Sequence, residues 1–439
     1  MFKSLIILFV FFSTGILMFE NTTLLSQEFV QNKQNQDQAF KNRTYKEGIK
    51  TVLIHKKGWE LSFPIINLNN EEEKIMLSFD ELGDDINEYS WQIIHCNTDW
   101  TQSELEPIDY LTNFFEGEIY NYNLSKNTTI DYINYSIDFP NDDVGFQKSG
   151  NYIVKVFEQN DPRQIVLTRK FYIIDRKVKL TGSIFKQSLL NSSNNQRVNF
   201  EINYDNDIWD AYSNLTTIII KNGGSGISTQ NIAPSQISTN KIDFKNINKL
   251  SFPGGNEFRH FDIKSLKFLS DNLEKINYNN IYTVDLRVSE PRALETYNFK
   301  NDLNGQSLIK LENSNQSNIK ADYCEVTFRL KTPLNLNKGD YYVFGALSDW
   351  QTHEDYKMSF DINKQEYTLS LLLKQGYYNY KYIFKSEGLV IDETSQWYSI
   401  EGNKYQTEND YYLLSYYKNP SEQSEELVGF IKINSNSTP

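Results

Sequence analysis

The chain has 439 residues, with 44 Lys and Arg against 57 Asp and Glu, for a formal net charge of −13. That balance argues against nucleic acid or an anionic membrane surface as the main partner, since both are bound by clustered cations. Hydrophobic residues make up 39%, and 6 Trp, 29 Tyr and 28 Phe supply bulk for several cores, which excludes a wholly disordered chain.

The chain opens with Lys3 and an apolar run over 5–19, broken only by Ser13, Thr14 and Gly15. The run is short for a membrane span, which takes about 20 residues, and it matches the apolar region of a secretory signal peptide. Cleavage is expected after Ser26, which makes 1–26 the signal peptide and the mature protein exported, with no membrane insertion of its own. No Cys stands near the cut to carry a lipid. Residues 27–47 are polar and rich in Gln and Asn, a flexible leader.

Beyond residue 48, period-two alternation recurs and sustained helical periodicity does not. Val198, Phe200, Ile202 and Tyr204 alternate with polar residues, as do Tyr282, Val284, Leu286 and Val288. Tyr367, Leu369, Leu371 and Leu373 form a third such face, and Gln375-Gly376 then leads into Tyr378, Tyr380, Tyr382 and Phe384, which predicts a hairpin. One buried and one wetted face is the mark of antiparallel sheets. The fold class is therefore all-β, with three immunoglobulin-like or early-set-like β-sandwich domains in series. The strand over 169–175 closes the first, at 48–175. A polar stretch over 312–320 separates the middle sandwich, 176–317, from the C-terminal one, 318–439. Cys96 and Cys324 stand 228 positions apart and read as separate small buried hydrophobes rather than a disulfide.

Catalytic chemistry is thin. His55, His95, His260 and His353 are scattered, and the chain lacks a His-Glu-x-x-His, a Cys-x-x-Cys, a Walker loop and a Gly-x-Ser-x-Gly. His95-Cys96 invites a thiol-protease reading, but neighbours on a strand point to opposite faces. The run 223–226, Gly-Gly-Ser-Gly, lacks the lysine of a phosphate loop. Asn301-Asp302-Leu303-Asn304-Gly305 resembles a calcium loop, yet Lys300 and Leu311 stand where an EF-hand needs oxygen ligands, so a turn is expected. Asp205, Asp207, Asp210, Asp142 and Asp143 read as solvated turn carboxylates. No enzyme, metal, cofactor or small-molecule substrate is expected.

Several segments in order resemble one family: Leu77-Ser78-Phe79-Asp80-Glu81-Leu82, Ile93-Ile94-His95-Cys96-Asn97-Thr98-Asp99-Trp100, Phe139-Pro140-Asn141-Asp142 and Ser149-Gly150-Asn151-Tyr152. Leu167-Thr168-Arg169-Lys170-Phe171, Pro253-Gly254-Gly255-Asn256-Glu257-Phe258-Arg259 and Glu401-Gly402-Asn403 continue the series. Together they resemble the plug protein of the Bacteroidetes type IX secretion system, from about residue 48 to the end. His260 departs from the pattern, where an aromatic is expected after Arg259. The resemblance implies a non-catalytic periplasmic protein that binds the giant outer-membrane β-barrel translocon and closes its periplasmic opening. A barrel of about 36 strands leaves a mouth of roughly 55 Å once side chains are counted. One sandwich of about 140 residues measures about 37 Å across, and the whole mature chain about 55 Å. One sandwich would leave the mouth open; three packed together match it.

The residues proposed to meet that partner are Asp99, Trp100, Phe258 and Arg259. Asp99-Trp100 follows a strand end, so Trp100 is either an exposed anchor or core filling. Phe258-Arg259 sits past a glycine turn and is either a contact loop or the start of a strand. The rival reading of the whole chain is a periplasmic glycan-binding or adaptor protein of early-set-like modules.

Overall fold

Where a strand alternates, the alternation decides which side of it is buried. In Asn195–Tyr204, Val198, Phe200 and Ile202 are buried, while Asn199, Glu201 and Asn203 on the other face are half-buried. Such one-faced strands must pair sheets face to face to cover their apolar side, and the chain is accordingly built of strands and very short helices. The computed structural model describes residues 39–436 apart from 160, 187–193, 206–207, 225, 334–338 and 387–397. The expected signal peptide, most of the leader, Asp207 and Ser225 lie outside the described residues.

In the first sandwich, one sheet runs in the order Arg43–Thr44, Asp161–Ile174, Gly150–Glu158, Tyr89–Cys96 and Glu116–Glu118, with Ile65–Asn67 beside Asp161–Ile174. The facing sheet is Ile49–Lys56, Ile75–Leu82, Tyr132–Phe139 and Tyr122–Leu124. Leu77, Phe79, Trp91, Tyr135, Tyr152 and Phe171 fill the space between. Gly117 is required there, because a Cβ on it would stand 2.8 Å from the Trp91 ring.

The second cluster joins strands far apart in sequence. Val178–Lys186, Asn195–Tyr204, Lys241–Phe244, Gln236–Ser238 and Ser251–Pro253 make one sheet. Its opposing sheet is Gly226–Ser228, Leu215–Lys221, Asp410–Tyr417 and Glu426–Asn434, with Ile219 opposite Leu413. The third cluster fills the interval. Arg259–Asp262, Gly376–Ser386, Ser307–Ile309 and Gly339–Phe344 face Leu273–Asn279, Ile281–Leu286, Tyr323–Leu330, Glu366–Lys374 and Ser359–Asp361 over Phe261, Val284, Phe328 and Tyr380.

Two features differ from the sequence reading. The clusters are nested rather than serial: the polar stretch 312–320 stays within the third, since Ile309 and Cys324 on either side pack into the same core. The last two strands return to the second, because only their apolar faces complete its sheet. Gln375-Gly376 is not a hairpin turn. It carries the chain from one sheet of the third cluster to the other, and Gly376 lets the Leu308 carbonyl approach where a side chain would block it. Two pairings among the described strands are parallel, Ile65–Asn67 with Asp161–Ile174 and Ile281–Leu286 with Tyr323–Leu330. Cys96 and Cys324 are both free and buried.

Two joints fix the first sandwich to the others. In the apolar joint, Tyr172 and Ile174 point away from their own core onto Tyr412, Leu414, Tyr416 and Leu427. Phe63 stacks between Tyr172 and Tyr412, at 4.9 and 4.6 Å between ring centroids. In the polar joint, Asp80 of the first sandwich meets Lys374 of the third at 2.5 Å, their side chains 0% and 1% exposed. The Tyr323 hydroxyl and Asn134 amide each donate to Asp80 at 2.7 Å. Lys374 also donates to the Asn318 carbonyl and lies over the Tyr132 ring. Burial pushes the Asp80 carboxyl up and the Lys374 ammonium down, each against the pull of its partner's charge.

Candidate functional site

Both sheets of the first sandwich end on short strands that are consecutive in the chain. Glu116–Glu118 closes one sheet and Tyr122–Leu124 the other, so the segment between them runs along a single rim. That rim presents Phe114, Phe115, Tyr120, Tyr122 and Leu124 to solvent, with Tyr120 74% exposed, and Ile108 stands on the short helix Pro107–Tyr110 just before it. Exposed Glu116, Glu118 and Asp143 are interleaved with them. Unpaired strand edges are normally short, charged or covered, because they offer free backbone donors and acceptors to another chain. An edge that is both short and aromatic is chemically suited to a partner with an apolar groove flanked by cations. The sequence reading passed over this stretch, since 111–124 shows no alternation. Its signal was an aromatic pair, Phe114-Phe115, set among polar residues with only Ile119 and Leu111 buried.

The four residues chosen from sequence divide by place. Asp99 is exposed and accepts from the Thr101 amide at 2.9 Å and hydroxyl at 2.6 Å, closing a turn. Trp100, at φ 72°, lays its ring edge-on to Tyr172 at 5.2 Å with Lys170 Nζ 4.1 Å from its centroid, at the rim of the apolar joint. Burial pulls the Lys170 ammonium down to about 8. Phe258 is buried, edge-on to Trp350 and covered by Lys381 Nζ at 3.7 Å. Arg259 begins a strand and gives its Nε to Glu401 at 2.9 Å and its Nη2 to the Glu290 carbonyl at 2.8 Å. Arg292 Nε reaches the other Glu401 oxygen at 2.5 Å. Burial alone would raise the Glu401 carboxyl, but these two guanidinium groups hold it down to about 2. Phe258 and Arg259 therefore tie the third cluster together internally, and Asp99 and Trp100 are the pair near solvent.

The neighbouring His95 and Cys96 do not form a pair. His95 and Cys96 face opposite sides of their strand: His95 packs against Tyr152 and bonds Ser103 Oγ at 2.9 Å, while Cys96 joins Ile94 and Ile153. Burial pushes the thiol up to about 12 and the imidazole down to about 4, so neither is charged near neutrality. Two shallow grooves, of about 370 and about 350 Å³, are lined by Leu266, Phe268 and Tyr278 and by Pro291 and Leu294. Each holds a single carboxylate and neither a His nor a Cys. No helix among the described residues is long and apolar enough to cross a membrane.

Comparison with known proteins adds to this geometry. The family described as type 9 secretion system plug protein 1st domain matches residues 49–175. A crystal structure of a hypothetical protein from Parabacteroides merdae is similar at 32% identity and TM-score 0.85, covering 91% of this chain and 100% of that one. A collagen adhesin from S. aureus aligns at 9% identity with a TM-score of 0.10, too little to indicate a common fold. No curated protein matches the sequence.

Proposed function

The chain belongs to the type 9 secretion system plug protein family, and from that membership we propose that it is a non-catalytic periplasmic stopper for the outer-membrane translocon barrel. The observation that carries the reading is the pair of buried joints, which lock three sandwiches into one body instead of leaving them as beads on a string. A stopper must be wide and stiff, since a mouth of roughly 55 Å exceeds one sandwich of about 37 Å. The aromatic and acidic rim over 108–124 is the surface we assign to the barrel contact, with Asp99 and Trp100 as secondary candidates. Its acids suit basic groups on the barrel mouth, so salt should slow association more than it speeds release. Docking has to be reversible, because a barrel carrying cargo must lose its plug.

The test uses purified translocon in liposomes with a solute normally excluded. Adding the protein should lower permeability, and the tagged protein should co-isolate with the barrel. Exchanging Phe114 and Tyr120 for Ser leaves every buried contact intact and should weaken co-isolation about tenfold or more, the loss of two aromatic anchors. If the protein neither co-isolates nor lowers permeability, the proposal fails; if it does both but the double variant behaves like the native protein, the contact surface lies elsewhere.

A further inference from the structure

The chain passes twice between the second and third clusters, and three carboxylates meet at that double crossing. Glu257 stands where the chain leaves the second cluster, Asp302 in the loop over 301–305, and Glu408 where the chain returns toward Asp410–Tyr417. One oxygen from each lies within 4.8 Å of the other two. Nearby Glu401 is held by two arginines. By contrast, none of these three carboxylates forms an ion pair with a Lys, Arg or His among the described residues. Lys381, seated over the Phe258 ring, acts on Glu257 and Asp302 by its charge but pairs with neither, and Lys221 Nζ donates to the Pro253 and Gly254 carbonyls.

Two further oxygens at the crossing lack donors. Glu257 is 1% exposed; its Oε1 accepts from the Tyr297 hydroxyl and the Glu408 amide, and its Oε2 has no partner. Asn304 is 7% exposed, and its Nδ2 donates to both Glu408 oxygens, at 3.0 and 3.1 Å, so the amide group lies against the cluster. Its Oδ1 has no partner. Asp302 accepts from the Phe258 and Asn304 amides at 2.5 and 2.6 Å, and Asn434 donates to Glu408. Carboxylates this close repel one another, and a buried oxygen without a donor is costly unless something positive faces it.

We propose that Glu257, Asp302 and Glu408, with the Asn304 side-chain oxygen, bind one calcium ion that clasps the two crossings. The donors are all oxygen, with no imidazole or thiol, which selects a hard cation. Magnesium keeps several of its waters and is usually held by one or two carboxylates, whereas calcium takes cages of protein oxygens, so three carboxylates with an amide oxygen suit calcium. The EF-hand spacing fails at Lys300 and Leu311 because the ligands come from three separate segments instead of one loop. The role is structural, and the inference stands apart from the plug reading.

The experiment takes the mature protein stripped with EGTA and titrates it with CaCl2 by calorimetry, and with TbCl3 by luminescence excited through Tyr297 and Trp350. One ion per chain should bind, the urea midpoint should rise with calcium, and MgCl2 should bind about tenfold or more weakly. Glu257→Gln and Asn304→Ala should each weaken calcium about tenfold or more, the loss of one ligand. Should Glu257→Gln fail to fold, Asn304→Ala and the native titration decide. Absence of binding up to about 5 mM calcium, beyond the range of extracellular modules, overturns the proposal, as does an affinity that Asn304→Ala leaves unchanged or magnesium bound as tightly as calcium.

Discussion

The apolar and polar joints hold the same sandwich against the same body with opposite chemistry. The apolar joint stacks Phe63, Tyr172 and Tyr412 and buries Leu414 and Leu427, so its strength follows area and is forgiving in detail. The polar joint buries one charge pair with its donors, Tyr323 and Asn134, around it. Taking two charges from water nearly cancels their attraction, so such a pair adds little net energy, yet it penalises every orientation that separates the partners. One joint supplies adhesion and the other supplies a unique angle.

That division can be broken experimentally. Lys374→Ala leaves Asp80 buried without its counter-charge and should cost about 3–5 kcal/mol in urea denaturation, with the double exchange Asp80→Asn, Lys374→Met recovering more than half. If the double variant is as damaged as the single one, the pair supplies adhesion after all. Acid probes the charged contacts next. Glu401 is depressed to about 2 from an ordinary 4.5, so its contribution is fully present above pH 4.5 and is lost as pH falls toward 2. That loss amounts to about 3 kcal/mol, and Glu401→Gln should flatten stability over that window. In the apolar joint, Leu414→Ala should cost about 2–3 kcal/mol through the cavity it leaves. That cost should be the same in 0.1 and about 1 M salt, because no charge is involved. The smallest effect belongs to the rim of the same joint, where Lys148 and Glu422 pair at 2.8 Å. Lys148→Ala should cost under about 1 kcal/mol, and less in salt.

What could be read from sequence followed from one-sidedness. Strands with one wet face, such as Asn195–Tyr204, announce themselves by alternation. Asp410–Tyr417 does not, because all of its residues are buried, Tyr411 and Leu413 in the second core and Tyr412, Leu414 and Tyr416 in the apolar joint. With no wet face it gives no period, and its return to the second cluster was hidden. Arg259 and Glu401 were noted as motif residues, but their pairing spans 142 positions and is set by the nested topology. The rim over 108–124 was missed for the converse reason, since edge strands of three residues are too short to show a pattern.

Nesting also imposes an order of assembly. A chain emerging from its amino end completes the first sandwich, whose strands end at Ile174, with everything it needs already present. The second core must wait with Val198, Phe200 and Ile219 uncovered while more than a hundred further residues arrive, because Leu413 and Val428 come last. Until then Tyr172 and Ile174 also lack the cover of Tyr412, Leu414 and Leu427, although Phe63 and Trp100 from their own sandwich pack there. A copy cut short before residue 410 therefore carries a finished amino-terminal sandwich beside two greasy, unclosed surfaces, which is the form that envelope proteases and chaperones are built to find. Strands Asp410–Tyr417 and Glu426–Asn434 thus act as a closing seal: only a chain made through both can present one closed body.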